Sequence, residues 1–166
     1  MTGTGQVIIS IIQEVLDHAI QKLQPPAGLN YAAYAVQIYP GGPGGETGLR
    51  IVCKSCNSKH LKRVQSRFSG PGASEEQQVL LWEQLLPKLH DSLVRLDEEL
   101  FKTGQGGNVR AVFDVDMGGF FYDRINSQTI LFGATLDQSQ INNGQCDREM
   151  KQMVSEIQAV FTAHGA

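Results

Sequence analysis

Residues 74–104 read SEEQQVLLWEQLLPKLHDSLVRLDEELFKTG, and the fold is decided there. Val79, Trp82, Leu86, Leu89, Leu93, Leu96 and Leu100 recur every three or four residues, the period of one helix face. Ser74 with Gln77 three residues on has the pattern of a capping box, in which hydroxyl and amide satisfy each other's free N–H groups. Lys102 sets a cation near the negative helix end, and Gly104 tolerates a left-handed cap. Pro87 lacks an N–H and crowds the carbonyl of Glu83, so its position predicts a kink or two abutting helices.

Downstream the period changes from 3.6 to 2. Val109, Ala111, Phe113 and Val115 alternate with Arg110, Val112, Asp114 and Asp116, and Phe120 to Ile125 returns after Met117-Gly118-Gly119. With a two-residue turn at Gly118-Gly119, Phe120 and Tyr122 join the odd-numbered face against the helices. The opposite face gathers Asp114, Asp116, Phe121 and Asp123. Thr129 to Ala134 is a further strand, Gln138 to Gln145 a polar loop, and Asp147 to Ala163 a last helix.

Upstream, Met1 to Gly5 is read as a loose tail and Gln6 to Gln24 as a helix stopped by Pro25-Pro26 and Gly28. Tyr31 to Tyr39 and Leu49 to Cys56 read as antiparallel strands around the Gly-Pro loop at 40–45, and His60 to Phe68 as a charged edge strand. The expectation is one α+β domain over residues 1–166, in the order α-β-β-(β)-α-β-β-β-α. An antiparallel sheet of five to six strands carries three helices, mainly on one face.

A chain of 166 residues with 41% hydrophobic content suits one soluble domain. No apolar run approaches the roughly 20 residues that cross a bilayer. No basic segment precedes the first apolar run, and three cysteines cannot all pair, so a reducing cytoplasm is expected. The net charge of −3 hides an asymmetry. Arg50, Lys54, Lys59, Lys62, Arg63 and Arg67 form a strip with no acid among them, while the other eight basic residues face seventeen acidic ones. Such a strip can steer a charged partner, but the acidic balance argues against a dedicated nucleic-acid binder.

No residue cluster carries a reaction. Cys53-Lys-Ser-Cys56 is one thiol pair where a structural zinc site wants four ligands, and it lies in a strand rather than at a helix start. His18, His60, His90 and His164 share no spacing. The serines lack a nucleophile-elbow setting, and the glycines of 41–48 form no phosphate loop. No metal, cofactor or catalytic residue is therefore expected. The candidate contact surface is acidic: Asp114, Asp116 and Asp123 on the hairpin, Phe121 as an apolar anchor, and Asp97, Glu98 and Glu99 near the helix end.

One family resemblance rests on the helix end Leu93-Val-Arg-Leu-Asp-Glu-Glu-Leu-Phe-Lys-Thr-Gly-Gln105, then Val109-Arg-Ala-Val-Phe-Asp-Val-Asp116 and Phe120-Phe-Tyr-Asp123. Here the chain resembles the YezG-like immunity proteins of bacterial polymorphic toxin systems. The resemblance implies a small cytoplasmic protein, monomer or homodimer, that neutralises a cognate toxin by stoichiometric binding without a cofactor. The element order also resembles class I chaperones of type III secretion. That alternative implies a dimer holding an extended effector segment on apolar grooves.

Overall fold

The computed structural model describes residues 3–21, 28–38, 48–59, 61 and 74–165. Among these the elements are α1 (Gly3–Ile20), β1 (Tyr31–Ile38), β2 (Gly48–Cys56), α2 (Glu75–Lys102), β3 (Arg110–Val115), β4 (Gly118–Arg124), β5 (Thr129–Thr135), the short α3 (Gln138–Asn142) and α4 (Gln145–Ala163). The strands form one five-stranded antiparallel sheet in the order β2-β1-β5-β4-β3. The expected antiparallel α+β architecture is therefore present. Of the strand expected at 60–68 only Leu61 is described, and it is helical and buried on the α2 face; the rest of that segment and the Gly-Pro loop at 40–45 lie outside the described residues.

Helices cover both faces of the sheet. Ile12, Leu16 and Ile20 of α1 and Cys146, Met150, Met153 and Ile157 of α4 recur at helical spacing and pack on one face with Ala32, Tyr34, Phe121 and Leu131. Across the sheet, Trp82, Leu86 and Leu93 of α2 pack on Tyr31, Ala33, Tyr122, Ile130, Phe132 and Ala134. Two of the long helices thus share a face and α2 lies alone on the other. The strand alternation explains it: Tyr31 and Ala33 face α2, while Ala32 and Tyr34 face α1 and α4.

The capping box at Ser74 is formed, with Gln77 N–H donating to the Ser74 hydroxyl at 3.2 Å and Ser74 N–H to the Gln77 amide oxygen at 2.9 Å. Gly104 sits past the helix end at φ +78°. The helix runs unbroken from Glu75 to Lys102 with Pro87 inside it, rather than as two abutting helices. Pro87 is exposed, so water can satisfy the carbonyl it frees. Two boundaries differ from the sequence reading. Gly3 to Gly5 are helical rather than a loose tail, and Gln138 to Asn142 form a helical turn capped by Asp137, whose carboxylate accepts the Ser139 N–H.

The β3–β4 hairpin pairs Val115 with Gly118, so its two-residue turn is Asp116-Met117 rather than Gly118-Gly119. Because the turn still holds two residues, the parity survives, and Ala111, Phe113, Phe120 and Tyr122 share the α2 face.

The buried stripe of α2 differs from the purely apolar one. It comprises Trp82, Leu86, His90, Leu93 and Asp97, while Leu96 is 47% exposed. A Leu93→Ala variant is accordingly expected to lose about 2–5 kcal/mol in denaturant melts. Leu89→Ala, at a half-buried position, should lose only about 1–2 kcal/mol. Equal losses would show that the helix is rotated from this orientation.

Candidate protein-interaction surface

The two edges of the sheet are finished differently. At the β2 edge, α1 supplies side-chain amides to the strand's outward carbonyls. Gln13 donates to the Lys54 carbonyl at 2.8 Å, and Gln21 to the Cys56 carbonyl at 2.5 Å and the Ser55 hydroxyl at 3.0 Å. These bonds occupy groups that an incoming strand would need.

Among the described residues the β3 edge pairs with β4 alone, and the one side-chain amide on its carbonyls is Gln138, which donates to Val115 at 3.4 Å at the hairpin end. Its valines are exposed: Val109, Val112 and Val115, with Met117 at the hairpin tip. Of its two charges, Arg110 turns toward α4 while Asp114 stays exposed. Arg110 bonds Asp147 of α4 and approaches Asp123 at 3.4 Å, and Asp114 accepts from Gln138 at 3.2 Å. Solitary edge strands ordinarily carry charges, Pro or a bulge against pairing, so an open apolar edge marks a place where something pairs. The outer side of α2 adds apolar surface through Leu80, Leu81, Leu96 and Phe101, all about half exposed or more.

The acidic surface expected from sequence does not assemble. Phe121, the expected apolar anchor, is 1% exposed and packs in the core under α1 and α4. Asp123 is also buried, beside Arg110, and loss of solvation raises its pKa above the usual carboxylate range. Asp97 is buried on the other face, where it accepts from Arg124 at 2.8 Å and from the Asn108 N–H. These three side chains serve the fold and lie on opposite faces of the sheet. Glu98 and Glu99 are exposed on α2, with Glu99 held by Lys102 at 2.8 Å. Asp114 and Asp116 are exposed around the hairpin tip.

The cysteine pair is divided by the same alternation. Cys53 packs on the α1 side and Cys56 on the α2 side, because residues three apart on a strand point oppositely. Burial pushes the Cys53 thiol up to about 11 and the Cys56 thiol up to about 12, and it raises Cys146 as well. Such thiols stay protonated at neutral pH and make poor nucleophiles or ligands. Among the described residues no three His, Cys, Asp or Glu side chains converge on a possible metal position. Of the basic strip, Arg50, Lys54 and Lys59 fall within the described residues, and Lys54 pairs with Glu83 at 2.7 Å. Lys62, Arg63 and Arg67 lie outside them.

Two clefts border α2. One of about 530 Å³ lies between its N-terminal half and β2, lined by Tyr31, Lys54, Glu75, Glu76 and Glu83. A smaller one of about 280 Å³ lies beside its C-terminal half and is lined by His90, Asp97, Glu98, Phe101 and Arg124. The larger cleft also holds Cys56 beside Glu75, but burial and that carboxylate both keep the thiol protonated, so the pair is not an activated nucleophile.

No family model and no curated protein matches the chain. Solved structures do match. An MglB described as having a tetrameric arrangement superposes at TM-score 0.57 over 99% of this chain and 94% of its own, at 11% identity. The gliding protein MglB of Thermus thermophilus matches at TM-score 0.57, over 92% and 90% of the two chains, at 12% identity. Myxococcus xanthus MglB gives 0.56, over 94% and 91%, at 9% identity. The shared property is the fold, an antiparallel sheet between helices. This finding overturns the expected function. The structures that match across nearly the whole chain are MglB proteins, neither toxin-neutralising immunity proteins nor secretion chaperones. Among the described residues no helix is long and apolar enough to cross a membrane.

Proposed function

We propose that the chain is a non-catalytic regulatory binding module of MglB type, which self-associates through the open β3 edge and the exposed side of α2. The pair then presents its surface to a partner protein in the cytoplasm, and a small GTPase is the partner class to test first. The single observation that carries the reading is the asymmetry of the sheet. Gln13 and Gln21 occupy the β2 edge at Lys54 and Cys56, whereas the β3 edge presents the exposed Val112 and Val115 with no strand beyond it among the described residues. A second copy suits that edge because antiparallel pairing about a two-fold axis satisfies both edges at once. The tetrameric arrangement of one MglB supports self-association on this fold.

The test is sedimentation of the purified chain over a range of concentrations, with Val112→Lys on β3 and Leu81→Lys on α2. Across a two-fold strand pair a lysine at 112 faces its mate closely, and like charges there repel. Wild type is expected to associate and each variant to do so about tenfold more weakly or worse, with circular dichroism unchanged. A wild type that stays monomeric throughout, or variants that associate as well as wild type, would remove the reading.

A further inference from the structure

His90 is 3% exposed in the middle of α2, and its ring is joined to the sheet by a chain of polar contacts. Its Nδ1 lies 2.8 Å from the Tyr122 hydroxyl of β4. Arg124, whose charge acts on Tyr122, donates to Asp97 at 2.8 Å, and Asp97 also accepts the N–H of Asn108, two residues before β3. The positive Arg124 beside Tyr122 disfavours a second cation on His90, so the neutral ring accepts the Tyr122 hydroxyl hydrogen on Nδ1. His90 then carries its proton on Nε2, a buried atom with no hydrogen-bond partner among the described residues. The relay ties together α2, β4 and the approach to β3, the elements that flank the self-association surface.

We propose that the His90–Tyr122–Arg124–Asp97 relay is a proton-sensitive latch that holds α2 against the β3–β4 hairpin, so that mild acid loosens self-association. The inference rests on the self-association reading. A second proton on His90 must go on Nδ1, which then turns a donor toward the Tyr122 oxygen. The hydroxyl hydrogen is displaced with no acceptor in place, and the buried ring becomes a cation. The charged and titratable groups around the ring are Asp91 and Asp97 on α2, and Tyr122 and Arg124 on β4. Glu98 lines the cleft beside it. Burial outweighs the two aspartates, so His90 titrates below its ordinary 6.5 in the folded protein. The latch is therefore at full strength above about pH 6.5, and it weakens as the pH falls below that value, because the released state takes the proton first.

The experiment measures association and denaturant midpoint at about pH 7.5 and about pH 5.0 for wild type, His90→Gln and Tyr122→Phe. Glutamine can accept from Tyr122 but does not titrate. Phenylalanine frees Nδ1 and lowers the penalty for protonation. Association of wild type is expected to weaken about tenfold or more on acidification, that of His90→Gln to stay level, and that of Tyr122→Phe to fall between. Asp123, whose carboxyl burial raises, contributes with opposite sign and is common to all three proteins. If wild type proves monomeric at both pH values, the self-association reading fails. The midpoints then decide the latch alone: the acid-induced drop should be present in wild type and absent in His90→Gln. The same pH slope in wild type and His90→Gln would overturn the proposal.

Discussion

A Gly118→Ala variant is expected to lose about 3–5 kcal/mol, the largest effect of a single methyl added at any of the described glycines. Gly118 opens β4 directly after the hairpin turn, at φ +109°. An L-residue held there carries strain of about 1–3 kcal/mol. A Cβ at this position would also stand 1.9 Å from the Thr135 carbonyl oxygen and 2.8 Å from the Leu136 Cα. Both are backbone atoms, where β5 ends alongside β4, so relief requires moving one strand against the other. Gly104 is the control. It too has a positive φ, at +78°, but nothing lies within 4 Å of its Cβ position. Gly104→Ala should therefore cost only about 1–2 kcal/mol, the conformational share alone. Denaturant melts of the two variants separate the terms. Equal losses would show that close approach contributes nothing at Gly118 and that the hairpin yields freely.

That contrast also shows what could be read from residues and what could not. The caps of α2 were legible because Ser74, Gln77 and Gly104 act on their own neighbours. The hairpin faces were legible because parity depends only on the number of turn residues. The fates of Asp97, Phe121 and Asp123 were not. Asp97 is buried because Arg124, 27 residues later, reaches it, and Asp123 because Arg110 lies across the hairpin. An acidic residue beside an apolar stripe reads the same whether solvent or an arginine waits for it. Phe121 was placed on the correct face, but that face was taken as open, and α4 arrives from the end of the chain to cover it. The insertion of β5 between β1 and β4 is likewise a long-range pairing with no local signal. The interaction surface was missed for a related reason. Val109, Val112 and Val115 look like ordinary strand valines until the sheet order places β3 at an edge.

The second large effect separates stability from association on the same helix. Trp82 is 3% exposed, and its ring lies 5.7 Å from that of Tyr31, which in turn meets Phe132 at 6.3 Å. Trp82→Ala empties the centre of the α2 layer and is expected to cost about 3–5 kcal/mol. Because Trp82 is the only tryptophan in the chain, its variant is followed by circular dichroism rather than by emission. Phe101 lies about five turns further along α2 and is 62% exposed. Phe101→Ser should change the stability of the monomer by no more than about 0.5 kcal/mol, since little of the ring is removed from water in one copy. If the outer side of α2 is an interface, the same substitution weakens association, because the ring is buried only when two copies meet. Trp82→Ala is expected to lower stability in every assembly state, whereas Phe101→Ser should act only where association is measured. A large stability loss in Phe101→Ser at concentrations where the chain is monomeric would mean that this end of α2 belongs to the core, and that the open surface is confined to β3.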